Sequence, residues 1–250
     1  MGINSGFKGL KCATSPSIDR AVCEAFRSKT LCCLGDFWSN CETNSSRKSQ
    51  NAPYKIMVAE ELSVTDSETR RTLSEDIPQH VPPTAVLWCS DEASFHLSGT
   101  VKKQYFRYWA DNNPRDLHQR PLHNPRVTVW CAVSRLGVVG SYFFEEGGET
   151  VTVTSNRYCE MLENFLRPRL EEFDASEDFW FQQDGTTAHT ARRSLGILRE
   201  MFPSRLVSLW GDIRWPARSP DFTPCDFLLW GYLKAEVYKH RPQTLKAFNP

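Results

Sequence analysis

The sequence predicts an α/β protein built on a mixed five-stranded sheet flanked by helices. Two observations carry this. Residues 126–144 read as an antiparallel hairpin, and beyond them helical and strand-like periods alternate as far as residue 238. A third observation bounds the domain: residues 1–83 show neither period and stand apart from the rest.

The elements follow in order. Residues 84–89 (TAVLWC) form a short apolar, β-rich run after Pro82-Pro83 and read as the first strand. In residues 126–134, Val127, Val129, Cys131 and Val133 alternate onto one face. Residues 138–144 are strand-like again, and Arg135-Leu136-Gly137 supplies the turn between the two. The period then changes: Tyr158, Met161, Leu162, Phe165 and Leu166 recur at helical spacing over 156–173, with Ser155 or Asn156 available as cap. Residues 179–183 (FWFQQ) read as a strand ending in Asp184. Leu195, Leu198 and Phe202 stripe a helix over 190–202, residues 205–209 make the fifth strand, and Asp226 opens a last helix running to about Tyr238. A ribonuclease H-like layout fits this order.

Composition narrows the class. Of 250 residues, 40% are apolar, enough for a packed core and too many for a disordered chain. No apolar run approaches the ~18 residues of a membrane span, and the N-terminus shows no secretory pattern. Formal net charge is zero, so any nucleic-acid contact must rely on local basic patches. Nine cysteines without CxxC spacing predict a reduced, intracellular protein. Cys12, Cys23, Cys32, Cys33 and Cys41 crowd the start without the His or spacing of a zinc finger, while Cys89, Cys131, Cys159 and Cys225 sit among apolar residues, as small core groups do. Residues 40–52 are polar and rich in Ser and Asn. Within 1–83 only a short helix, about 66–73, is expected.

Three acids fall at element ends: Asp91 after the first strand, Asp184 after the fourth, Asp226 at the start of the last helix. In open α/β sheets, strand ends and helix starts gather ligands. Three converging carboxylates repel one another unless cations bind. Two Mg²⁺ or Mn²⁺ ions would neutralise them and could serve in-line displacement at phosphorus, with no His or Cys ligand required. Taken singly, each Asp is as readily a turn former or helix cap.

The motifs around the acids lift the set above that reading. Residues 90–96 (SDEASFH), 184–189 (DGTTAH) and 219–226 (SPDFTPCD) running into FLLWGYLK resemble, in order, the DDE/DDD catalytic domain of mariner-like transposases. The resemblance covers about residues 84–243. It implies a ribonuclease H-like fold, metal-dependent DNA strand cleavage and transfer, and Asp91, Asp184 and Asp226 as the catalytic, metal-holding acids. Asp221 is a near alternative for the third acid, but it lies in a Ser-Pro-Asp turn, and Asp226 occupies the family's position. The interval between Asp184 and Asp226 exceeds that of many members, and residues 211–217 (GDIRWPA) fit an enlarged loop there.

Other implications are narrower. His189 matches the family's His and would position DNA or a metal-bound water; a locally bonded helix-start His is the plain alternative. Gly185 stands where the family usually has Asn. Residues 101–125, with Trp109 and Arg120-Pro121, resemble the clamp loop that reaches a partner subunit, implying a homodimer; an ordinary long surface loop is the plain alternative. Arg192, Arg193, Arg199, Lys234, Lys239 and Arg241 would line a DNA path or simply form solvated helical faces.

Departures from the family pattern shape the functional expectation. Residues 1–83 show no helix-turn-helix pair and no basic recognition helix. The sequence stops at Pro250, where the family continues, which reads as a C-terminally truncated catalytic domain over 84–250. The expected function is transposase-like strand cleavage on DNA in the nucleus. The alternative is a non-catalytic nucleic-acid-binding remnant of a transposable element.

Overall fold

The computed structural model describes residues 62–97, 125–174, 177–240 and 242–248. The N-terminal cysteines, the 98–124 stretch with the clamp-like sequence, and Arg241 lie outside the described residues.

A six-stranded mixed sheet forms the centre. In chain order its strands are β1 (Val86–His96), β2 (Arg126–Ser134), β3 (Gly137–Phe143), β6 (Phe179–Gln182), β7 (Leu206–Ser208) and β8 (Ile213–Arg214), arranged β3-β2-β1-β6-β7-β8. The two-residue β4 (Glu145–Glu146) and β5 (Glu149–Thr150) make a separate hairpin. β1, β2 and β3 pair antiparallel, whereas β6, β7 and β8 run parallel to β1.

This is the predicted fold class with two differences. β1 continues past Cys89 to His96, because residues 89–96 stay paired with β2 after pairing with β6 has ended. The polar Ser90-Asp91-Glu92 hides that continuation in a hydrophobicity pattern. The sixth strand, β8, occupies part of the 211–217 stretch expected to be loop. It is two residues long and joins its parallel neighbour by a turn far shorter than the dozen-residue crossover that usually marks such a pair. Gly211 makes the turn: a Cβ there would lie 2.4 Å from the Leu206 carbonyl oxygen. Asp212 closes it by donating its N–H to Leu206 O at 2.7 Å and accepting from Leu206 N at 3.0 Å.

Alternation along the strands sends their two faces to two apolar clusters. Val86, Trp88, Trp130, Ala132 and Phe181 face α2 (Ser155–Met161), a π-helical turn (Leu162–Leu166), α3 (Arg167–Leu170) and α5 (Arg192–Met201). Cys89, Ala93, Phe95, Val129 and Cys131 face the opposite way, onto Leu229, Trp230, Leu233 and Val237 of the π turn Cys225–Leu229 and α6 (Trp230–Lys239). The four described cysteines are free thiols buried in this core, as expected for small apolar groups.

Residues 64–80 form α1 (Val64–His80), longer than the expected 66–73. Only Leu73 and Ile77 of this helix are buried, so its apolar period is faint; a capping box between Ser63 and Asp66 sets its start. Leu73 and Ile77 pack on Trp180, Val207, Ile213 and Trp215, placing α1 beside the β7–β8 edge. Among the described residues, no helix is long and apolar enough to cross a membrane.

Candidate active site

Register places two of the acids. β1 and β6 are parallel, with Cys89 opposite Gln182, so Asp91 and Asp184 each lie two positions beyond that pair and continue one face. That face is the one α6 covers, and Asp226 sits in the π turn that leads into α6. Pairing of β1 with β6 ends here, so the strands diverge and a cavity of about 460 Å³ opens between them. Asp91, Asp184 and Asp226 all line it. Two bonds fix its frame: Ser90 Oγ donates to Gln182 O at 2.9 Å, joining β1 to β6, and Cys225 Sγ donates to Cys89 O at 3.2 Å, joining the π turn to β1.

Each acid has a distinct environment. Asp91 accepts from Trp230 Nε1 at 2.8 Å. Burial, the Asp226 carboxylate and the Glu92 carboxylate together push its pKa up to about 8. Burial and Asp184 raise Asp226, and Lys234 offsets them in part. Asp184 behaves oppositely. Burial would raise it, but hydrogen bonds from His189 and from the Thr186 N–H at 3.0 Å hold it below the ordinary carboxylate range.

Asp221 stands elsewhere. Its carboxylate takes a two-pronged ion pair from Arg70 of α1, and it does not line the cavity. The same guanidinium donates to Ser219 Oγ at 2.9 Å and lies 4.3 Å over the Phe222 ring. Arg218 in turn pairs with Asp66 at 2.8 Å. Helix α1 therefore clamps the 218–222 segment, whose Arg218, Ser219 and Pro220 wall the cavity.

His189, in the short α4 (Thr187–Thr190), is only 1% exposed, and both ring nitrogens are engaged: Nδ1 with Asp184 Oδ1 at 2.6 Å, Nε2 with Glu92 Oε1 at 2.9 Å. Burial works against its cation, but Glu92 and Asp184 outweigh burial and push its pKa up to about 10. In this arrangement neither ring nitrogen is left for DNA or a water. The Tyr158 ring packs 4.3 Å away, and Tyr158 OH bonds Gln183 Oε1 at 2.7 Å. A Cβ at Gly185 would meet Leu209 Cδ2 at 3.3 Å, so any larger residue there requires Leu209 to shift.

Sequence reasoning assigned no role to Glu92 or Trp230. Both had a signal. Glu92 lies on the opposite strand face from Asp91, an inward position where a carboxylate needs a partner. Trp230 lies one helical turn after Asp226, on the same side. The basic residues named as a DNA path are partly engaged within the protein: Arg193 with Asn156 and Glu163, Arg199 with the Trp210 carbonyl, Lys239 with Glu236.

The donor set suits a hard divalent cation. It is all carboxylate oxygen, and Asp91 and Asp226 carry pKa values raised by burial and by neighbouring carboxylates. Among the described residues, no group of three or more His, Cys, Asp or Glu is gathered so as to hold a single ion; the acids border the cavity without closing on one point.

No family model matches the chain. The transposable element Tc3 transposase of Caenorhabditis elegans is 32% identical over 151 residues, covering 60% of this chain and 41% of that protein. The catalytic domain of Mos1 mariner transposase superposes with a TM-score of 0.51 at 17% identity, covering 76% of this chain and 80% of that one. The chain is thus similar in sequence to a transposase and shares the fold of the Mos1 catalytic domain. A Mos1 mariner paired-end complex with Mn matches this domain's fold at a TM-score of 0.56 and 20% identity, covering 75% of this chain and 54% of that one. The chain thus spans about two fifths of the curated relative it matches and about half of the Mos1 chain in that complex.

Proposed function

We propose that the 84–250 unit performs transposase-type, metal-dependent cleavage and transfer of DNA strands, with Asp91, Asp184 and Asp226 holding two Mg²⁺ or Mn²⁺ ions. One observation carries the reading: three carboxylates from three separate elements border one cavity at the divergence of β1 and β6. When bound, the ions supply a polarised nucleophilic oxygen and stabilisation of the leaving oxygen. The chain's own residues orient. Trp230 fixes one oxygen of Asp91, His189 and the Thr186 N–H fix one oxygen of Asp184, and the α1-clamped segment shapes the wall. The sequence match to a transposase and the fold shared with a Mn-bound Mos1 paired-end complex support DNA as partner and a divalent ion as cofactor. Action on genomic DNA would place the protein in the nucleus, and the 101–125 sequence would reach a second copy. DNA contact through the basic helical residues would rest on phosphates and should weaken steeply with salt.

The spread of the three acids favours a second reading, a DNA-binding module that no longer cleaves. A plasmid nicking assay with Mg²⁺ or Mn²⁺ separates the two. Nicking by the wild-type chain that Asp184→Ala abolishes supports the catalytic reading; equal, background nicking by both favours the binding module.

A further inference from the structure

We propose that Glu92 is a positioning residue of this site, acting through His189 on Asp184. The inference rests on the reading of Asp184 as a metal ligand.

The geometry supplies the linkage. An imidazole has two polar atoms, and both of those of His189 lie within hydrogen-bond distance of carboxylate oxygens, Asp184 on one side and Glu92 on the other. Each nitrogen is thus committed to one carboxylate, and the ring bridges the two. It has no freedom to pivot: the ring is 1% exposed, the Tyr158 ring covers it, and Gln183 Nε2 holds the His189 carbonyl at 3.1 Å.

The two carboxylates differ in how they are held. Glu92 belongs to β1, is paired across the sheet with Trp130, and has a side chain only 14% exposed. Asp184 lies beyond the end of β6, and its side chain is 41% exposed, so packing alone does not select its rotamer. Hydrogen bonds must do so. The Thr186 N–H and His189 Nδ1 both take Oδ1, which leaves Oδ2 to face an ion. Glu92 thereby carries the rigidity of the sheet, through one imidazole, to an acid that lies beyond the end of its strand. Without Glu92 the ring loses its outer anchor and no longer fixes Oδ1. Groups that orient metal-binding side chains from behind typically change metal affinity by about 10–100-fold.

A purely structural Glu92 would affect melting and nothing else, so the test reads metal response. Mn²⁺ is titrated into the full chain, following both thermal shift and plasmid nicking, for wild type, Glu92→Ala and Glu92→Gln. Half-saturation is expected to rise about tenfold in Glu92→Ala and to recover in part in Glu92→Gln, whose amide oxygen still accepts. Nicking at saturating Mn²⁺ should stay within a few-fold of wild type. If Glu92→Ala does not fold, Glu92→Gln carries the comparison with a smaller rise. Unchanged half-saturation in a folded variant, beside a wild type that responds to Mn²⁺, overturns the proposal. If the wild type responds to no metal, the proposed function fails, and a crystal structure of metal-free Glu92→Ala decides the linkage. A His189 ring or Asp184 carboxylate turned out of the wild-type arrangement supports it; an unchanged Nδ1–Oδ1 bond overturns it.

Discussion

Trp230 Nε1 donates to Asp91 Oδ2 at 2.8 Å, joining the first turn of α6 to the acid in the middle of β1. The bond favours the charged form of a carboxyl that burial pushes the other way. Trp230→Phe keeps an aromatic ring against Phe95 and removes only the donor. A hydrogen bond to a charged group contributes about 1.5–3 kcal/mol. Metal half-saturation in the Phe variant is therefore expected to rise roughly tenfold or more, read by Mn²⁺ titration of the melting temperature, with the metal-free fold retained.

The Arg70–Asp221 pair predicts acid sensitivity at the wall of the site. The Arg70 hydrogen bonds hold Asp221 below its ordinary carboxylate value. A carboxyl depressed in the folded state stabilises above its unfolded pKa, and that contribution disappears as pH falls through the folded value. The Asp221 side chain is half exposed, so the effect at neutral pH is at most about 1 kcal/mol. Asp221→Asn should be less stable than wild type at pH 7 in urea and equal to it near pH 2. A gap that persists at low pH would mean that the Asp221 charge is not the source.

How much of this was legible beforehand depended on where apolar period and polar chemistry coincide. The hairpin and the α2 and α5 helices bury repeating Val, Leu and Phe, and periodicity found them. The acids at 91, 184 and 226 were legible from their motifs. What escaped were elements whose stability comes from pairing and not from an apolar stripe. The far half of β1 is held by its ladder to β2, and β8 by a glycine turn of four residues. The His189 relay also escaped, because a contact between residues 92 and 189 exists only once β1 and the end of β6 lie side by side. A 17-residue α1 with two buried side chains leaves little trace in hydropathy, although Ser63 and Asp66 mark its start.

Leu233 tests whether α6 is held to the sheet as the packing indicates. It is fully buried among Phe95, Val129 and Leu229, on the helix that Asp226 leads into. Leu233→Ala should cost about 2–5 kcal/mol of unfolding free energy, measured as a lower urea midpoint at unchanged slope. A loss under 1 kcal/mol would place α6 outside the cooperative core.

Repulsion among the three acids makes two opposite predictions for one variant. Burial raises the pKa of both Asp91 and Asp226, and repulsion adds to it, from Asp226 at Asp91 and from Asp184 at Asp226. An acid whose pKa is raised on folding costs stability as pH climbs from its unfolded value towards the folded one. Without metal, the protein should therefore weaken between about pH 4 and the value near 8 reached by Asp91. Asp226→Asn removes one of the repelling charges and should stabilise the metal-free protein at pH 8. Metal should reverse the ranking. A ligand that binds only the folded state stabilises by about 2.7 kcal/mol at a hundredfold excess over Kd, and for a domain of this size each kcal/mol moves Tm by about 2–4 °C. Wild type and Asp221→Asn should gain that shift with Mn²⁺, whereas Asp226→Asn should gain little. A full Mn²⁺ shift in Asp226→Asn, together with its loss in Asp221→Asn, would transfer the third ligand to Asp221 and break the link between the cavity and the metal.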